Sequence, residues 1–216
     1  MKMYEKIKNN RDINIYIENA DKALKEIGYT EHSFAHVCKV AEVSSKLLRD
    51  LGYDEHTQDL CAVASYMHDI GNSVNRHEHA ISGAVISFRL LDKMGMDAKD
   101  VVQIIQAIGN HDESSSNCVS PISAALILAD KTDVRRSRVR GREEEFDIHD
   151  RVNYSVKKSE MILQGEEIVL FLTLDTEVTP IMDYFEIFLG RMTLSKMAAK
   201  YLGLKFGLVI NGQKLL

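Results

Sequence analysis

Apolar residues recur along most of this chain at intervals of three and four, the spacing of a helix buried along one face. Ile13, Ile17, Ala20, Leu24 and Ile27 keep that spacing until Gly28 stops it. A second predicted helix carries His36, Val40, Val43 and Leu47 on one face and ends near Gly52. A third spans residues 55–67 and is broken at Gly71. Residues 78–94 repeat the pattern with Ile81, Ala84, Val85, Phe88 and Leu91 before Gly95, and another helix covers 98–108. Ser120 and Pro121 read as an N-cap followed by a first-turn proline, opening a helix through Asp130 toward Asp133. Short loops between such helices imply a bundle whose apolar faces pack together.

After Gly141 the pattern changes. Residues 152–163 and 167–175 read as two strands joined by a hairpin at Gln164, Gly165 and Glu166. Residues 180–202 return to helical spacing, and 205–215 read as a third strand. The expected architecture is mainly α: a helical bundle over residues 1–141, with a small α+β appendage over 142–216 packed on it. The charged run from Arg142 to Asp147 suits a linker or a solvated turn.

Composition narrows the class. A chain of 216 residues with 45% hydrophobic content can bury a substantial core. Only two prolines interrupt it, which favours long helices. The 27 basic and 32 acidic residues give a net charge of −5, so no overall pull toward a nucleic-acid duplex is expected. No apolar run is long enough to span a bilayer, and the first residues lack the apolar stretch of a secretory signal. Cys38, Cys61 and Cys118 lie far apart with no C-x-x-C pair, which argues against disulfides or a thiolate zinc site. These features together predict a cytoplasmic protein, and a homodimer remains open.

Six residues carry the candidate chemistry: His36, the adjacent pair His68 and Asp69, His79, His111 and Asp130. Imidazole and carboxylate together suit divalent manganese, iron, cobalt or zinc. His36 shares a helix face with Val40 and Val43, and His68 shares one with Ala64 and Leu60, so both should point inward. Asp130 ends the apolar run 124–129, where an unpaired carboxylate would be costly and a metal ion would supply its partner.

In this order the residues match a known signature. His36, then His68-Asp69-Ile70-Gly71, then Asp130 in the phrase Leu128-Ala129-Asp130 resemble the H…HD…D pattern of HD-domain phosphohydrolases. The resemblance covers about residues 29–140. It implies a helical metal site that hydrolyses a phosphate ester or anhydride of a nucleotide or another phosphorylated small molecule. His79, within His79-Ala-Ile-Ser-Gly83-Ala84, and His111, within Ile108-Gly-Asn-His111, resemble the further histidines of members that hold two metals. The resemblance then makes Asp69 the shared, catalytic carboxylate between one or two ions. Asp112 follows His111 where some dinuclear members have a second histidine.

Lys131, Arg135, Arg136, Arg138, Arg140 and Arg142 follow Asp130 closely. A helix end attracts such charge through its dipole. Lys131 and Arg135 also emerge within about a turn of a proposed ligand, and Arg76 precedes His79 by three residues, so these three are the candidate phosphate-binding groups. His32 is either an orienting group beside His36 or a helix-start residue. His56, His77 and His149 read as surface histidines, and the cysteines as packing residues. Two other functions stay open: a di-iron oxygenase, and a metal-binding regulatory or scaffold protein without turnover.

Overall fold

The computed structural model describes residues 2–113 and 117–216. Helices α1 (Lys2–Lys8), α2 (Arg11–Glu26), α3 (Phe34–Asp50), α4 (Glu55–Met67), α5 (His79–Lys93), α6 (Ala98–Gly109) and α7 (Pro121–Lys131) build the bundle. Their starts are set by capping side chains. Asn10, Ser33, Asp54 and Asp97 each accept a hydrogen bond from a first-turn backbone N–H. Ser120 and Ser123 form a reciprocal capping box around Pro121. Helix α3 ends at Gly52, whose φ of +82° is the left-handed conformation that closes a helix without a Cβ clash.

Helix α7 is buried on nearly all sides and touches α3, α4 and α6. Such a helix needs an apolar surface all round, and the run from Ala124 to Ala129 provides it. The fourth helix packed on α7 is α9 (Ile181–Tyr201), from the C-terminal segment. One hydrophobic cluster runs from Tyr4 and Ile7 through Leu126 to Tyr184, Phe188 and Leu208. The C-terminal segment also holds α8 (Ile148–Ser155), β1 (Val156–Gln164), β2 (Glu167–Leu174), β3 (Lys205–Ile210) and β4 (Gln213–Lys214). The sheet order is β1-β2-β3-β4. Strands β1 and β2 form the expected hairpin, β2 and β3 run parallel with α9 as the crossover, and β3 turns back into β4.

Several boundaries differ from the sequence expectations. Helix α1 precedes the first predicted helix, and its two turns bury only Tyr4 and Ile7. Residues 152–155 are helical, because Asp147 caps α8 and Ser155 bonds back to the Val152 carbonyl. The final strand is divided by Asn211 and Gly212, both at positive φ, the usual chemistry of a tight hairpin. On α5 the apolar stripe Ile81, Val85 and Phe88 faces solvent, whereas His79, Ala80, Gly83, Ser87, Leu90 and Leu91 are buried. Two small residues and a histidine on the inward face diluted the periodic signal there.

That inward face matters for the site. The chain after Asp69 enters a 3-10 turn, Ile70–Ser73, which crosses α5 where glycine meets glycine. A Cβ on Gly71 would lie 2.5 Å from the Gly83 nitrogen and collide with the His79 carbonyl. A Cβ on Gly83 would lie 3.2 Å from the Gly71 nitrogen. This backbone-on-backbone contact brings His79 to Asp69. Gly71→Ala is therefore expected to destabilise the fold by about 3 kcal/mol and to weaken metal retention, as read by denaturant unfolding and metal content. Unchanged values for both would mean the crossing is not needed.

Candidate metal centre

Five helix ends or turns converge on one point. His36 lies in the first turn of α3, just after the Ser33 cap. His68 is the C-cap of α4, and Asp69 follows it at the head of the 3-10 turn. His79 opens α5, His111 lies just beyond α6, and Asp130 is near the end of α7. All four histidines and Asp69 are buried, and Asp130 is partly so.

The six side chains sort into two sets around Asp69. On one side, His36 Nε2 is 3.4 Å from His68 Nε2, 3.3 Å from Asp130 Oδ1 and 3.7 Å from Asp69 Oδ2. His68 Nε2 is 3.3 Å from Asp69 Oδ2 and 3.6 Å from Asp130 Oδ1. Donor atoms held about 2.1 Å from a tetrahedral ion, the bond length of zinc to imidazole or carboxylate, lie about 3.4 Å apart, close to these five spacings. On the other side, His79 Nε2 is 3.4 Å from Asp69 Oδ1 and 3.2 Å from His111 Nε2, which is itself 4.0 Å from Asp69 Oδ1. The two oxygens of Asp69 thus face different histidines. His36, His68 and Asp130, and likewise His68, Asp69 and His111, are clusters that could hold a divalent metal ion.

Protonation sharpens this. Nδ1 of His68, His79 and His111 each lies against a backbone carbonyl three residues earlier, of Ser65, Arg76 and Ile108, at 2.7, 3.1 and 2.6 Å. A carbonyl can only accept, so each Nδ1 carries the proton. Burial, together with nearby positive charge, lowers His79, and burial with His68 takes His111 down to about 3. Both rings are then neutral, and their Nε2 lone pairs face each other at 3.2 Å. Two acceptors cannot hydrogen-bond, whereas a shared cation satisfies both. Burial would lower His68, but Asp69 and Asp130 outweigh it and hold it up to about 10. Burial would raise Asp69 and Asp130, yet His68 beside the first and Lys131 beside the second carry both well below the usual carboxylate range.

Surrounding groups fix the orientation. His36 Nδ1 donates to Asp133 Oδ2 at 2.8 Å. Asn72 donates to Asp69 Oδ1 at 3.0 Å. The ring of His32 sits edge-on to His36 at 5.5 Å, and Asp112 Oδ1 is 3.9 Å from His79 Nε2. Asp133 and Asn72 were not singled out from the sequence. Asp133 follows Asp130 by three residues, one helical turn, which was the available signal; Asn72 carries none beyond its place after Gly71.

The candidate phosphate-binding residues divide. Arg76 Nη1 lies 3.3 Å from His79 Nε2 and its guanidinium covers the Tyr29 ring. Lys131 Nζ is buried 2.8 Å from Asp130 Oδ2. Arg135 departs from expectation: its Nε and Nη2 grip the two oxygens of Asp133 at 2.7 and 3.0 Å. A guanidinium fork engaged with one carboxylate offers a phosphate only its remaining N–H groups. Arg76 lines a cavity of about 530 Å³ beside the centre, together with His32, Asp112, α8 and α9, and Arg135 does not.

An uncharacterized protein from Methanocaldococcus jannaschii is 27% identical over 190 residues, covering 76% of this chain and 72% of its own length. The crystal structure of a predicted HD superfamily hydrolase from an uncultured Thermotogales bacterium is 25% identical, with a TM-score of 0.46 over 58% of this chain and 68% of that one. Residues 33–135 match the model of the HD domain. That segment, which contains His36, the His68-Asp69 pair, His79, His111 and Asp130, is similar to the HD domain.

Proposed function

We propose that the protein is a metal-dependent phosphohydrolase acting on a phosphorylated small molecule. The observation that carries this reading is the division of Asp69, with one oxygen toward His36 and His68 and the other toward His79 and His111. His36, His68, Asp69 and Asp130 would hold one divalent ion, and Asp69, His79 and His111 a second. Ions so held would lower the pKa of a coordinated water and offset charge on phosphoryl oxygens. Manganese, iron, cobalt and zinc all suit this donor set.

The protein's own groups position the reactants. Asp69, kept ionised by His68, is the shared carboxylate and the group on which the reacting centre depends. Arg76 stands at the inner wall of the cavity, where its guanidinium can take phosphoryl oxygens without leaving Tyr29. Lys131 holds the outer oxygen of Asp130, keeping that carboxylate charged and adding positive potential beside the phosphoryl position. Asp133 and Arg135 act one step removed, by fixing the His36 ring. No helix of the described residues is long and apolar enough to cross a membrane. We place the protein in the cytoplasm, where phosphorylated metabolites are abundant.

Hydrolysis of a generic aryl phosphate and a panel of phosphorylated metabolites tests the reading. Turnover should require added manganese or a similar ion. It should fall at least about a hundredfold in His68→Ala, with helical circular dichroism retained. If no member of the panel turns over above a metal-stripped control, the hydrolase reading fails, and a binding or regulatory role takes its place.

A further inference from the structure

The cavity beside the metal centre carries a charge pattern that restricts what can enter it. Its inner wall includes Arg76 and Asp112, both within 4 Å of His79. The wall from the C-terminal segment brings Arg191, stacked on Phe188 at 4.5 Å, with Asp147 and Asp150 from the start of α8. Two guanidinium groups therefore share the cavity with four carboxylates, those of Asp112, Glu113, Asp147 and Asp150. Arg191 is already paired with Glu113 at 3.1 Å, and Arg76 is the guanidinium of this cavity that lies 3.3 Å from the ligand histidine His79. Burial and then Asp147 push the Asp150 carboxyl up, as expected of acids crowded on one wall.

A single phosphoryl group can sit against Arg76 at the inner wall. Further phosphates in a chain would extend toward Asp147 and Asp150 and meet like charge. Hydroxyl or amino groups in the same place would find acceptors. Selection by repulsion of the wrong ligand is as effective as attraction of the right one. Resting on the phosphohydrolase reading, the geometry points to a substrate with one phosphoryl group on an uncharged or cationic body rich in hydroxyl or amino groups, with Asp147 and Asp150 rejecting polyphosphates.

The test uses the full chain in saturating manganese and the double variant Asp147→Asn/Asp150→Asn. Asparagine caps a helix as well as aspartate does, so α8 should persist. Calorimetric titration with inorganic phosphate and with tripolyphosphate is the first readout. The native protein should bind phosphate at least as tightly as tripolyphosphate, and the double variant should bind tripolyphosphate about tenfold more tightly than the native protein. The second readout is kcat/KM for adenosine monophosphate against adenosine triphosphate, expected to favour the monophosphate at least about tenfold, and less in the variant. Tighter tripolyphosphate binding by the native protein, or no response in the variant, would overturn the inference. So would preferred turnover of the triphosphate, while leaving the hydrolase reading intact. The expected binding pattern without hydrolysis of either nucleotide would support the charge selection and count against the hydrolase reading.

Discussion

Replacing Asp69 with alanine is expected to empty the whole centre, whereas replacing Asp130 should empty only part of it. Asp69 Oδ2 lies 3.3 and 3.7 Å from the ring nitrogens of His68 and His36, and Oδ1 lies 3.4 and 4.0 Å from those of His79 and His111. Removing it takes one donor and one negative charge from both sets. What remains on the second side is a pair of neutral imidazoles with facing lone pairs, a weak site alone. Among the described residues Asp130 Oδ1 lies within 4 Å of His36 and His68, so its loss should bear less on His79 and His111. Native protein purified with manganese should hold one to two equivalents by elemental analysis. Asp69→Ala should hold close to none, and Asp130→Ala should keep more than that. Hydrolysis should fall in Asp69→Ala by about three orders of magnitude, since a metal site supplies several kcal/mol of transition-state stabilisation. Equal metal content in native and Asp69→Ala protein would sink the shared role. Equal loss in the two variants would mean that only the first set binds.

How much of this could be read from the sequence depends on whether a property is local. Helix α7 was legible to the residue at its start, because Ser120 and Pro121 act on the next turn of the same chain. The six candidate ligands were legible because their spacing is itself a pattern, and the fold brings all six together. Helix α1 was missed since two turns carry too few apolar positions to show a period. The outward stripe of α5 was misread because Gly83 and Ser87, the residues that allow close packing, carry no hydrophobic signal. Arg135 was assigned to phosphate by its nearness to Asp130 in sequence. Its actual partner, Asp133, is two residues away, and only the turn after α7 decides between them. The cavity wall from α8 and α9 was beyond sequence reasoning altogether, because it depends on how a segment after residue 141 packs against residues near 29 and 76.

Asp133→Ala should damage stability more than most substitutions outside the ligand set. The carboxylate is 2% exposed and accepts from His36 Nδ1 at 2.8 Å and from Arg135 Nε at 2.7 Å. Lys39 Nζ lies 3.4 Å from it, and the buried Arg138 guanidinium lies 3.7 Å away while donating to the Asp133 carbonyl at 2.7 Å. Alanine would leave Arg138, itself 4% exposed, without its counter-charge, and His36 without its anchor. Breaking a buried pair in this way costs about 3–5 kcal/mol. Freeing the His36 ring should also weaken metal binding by about 10–100-fold. Asp133→Asn separates charge from shape, because the amide oxygen can still accept from His36. Burial would raise the Asp133 carboxyl, but the His36 hydrogen bond and Arg138 hold it far below the usual range. A group depressed in the folded state contributes stability above its unfolded pKa, about 3.9, and loses it as pH falls. The native protein should therefore exceed Asp133→Asn in unfolding free energy at pH 7, and the gap should narrow steadily below about pH 4. Denaturant unfolding of both metal-free proteins at pH 7, 5 and 3.5 measures this, with ligand protonation common to both. A gap independent of pH would show that Asp133 acts through hydrogen-bond shape alone, and metal titration of the same two proteins would then show whether the charge matters to His36.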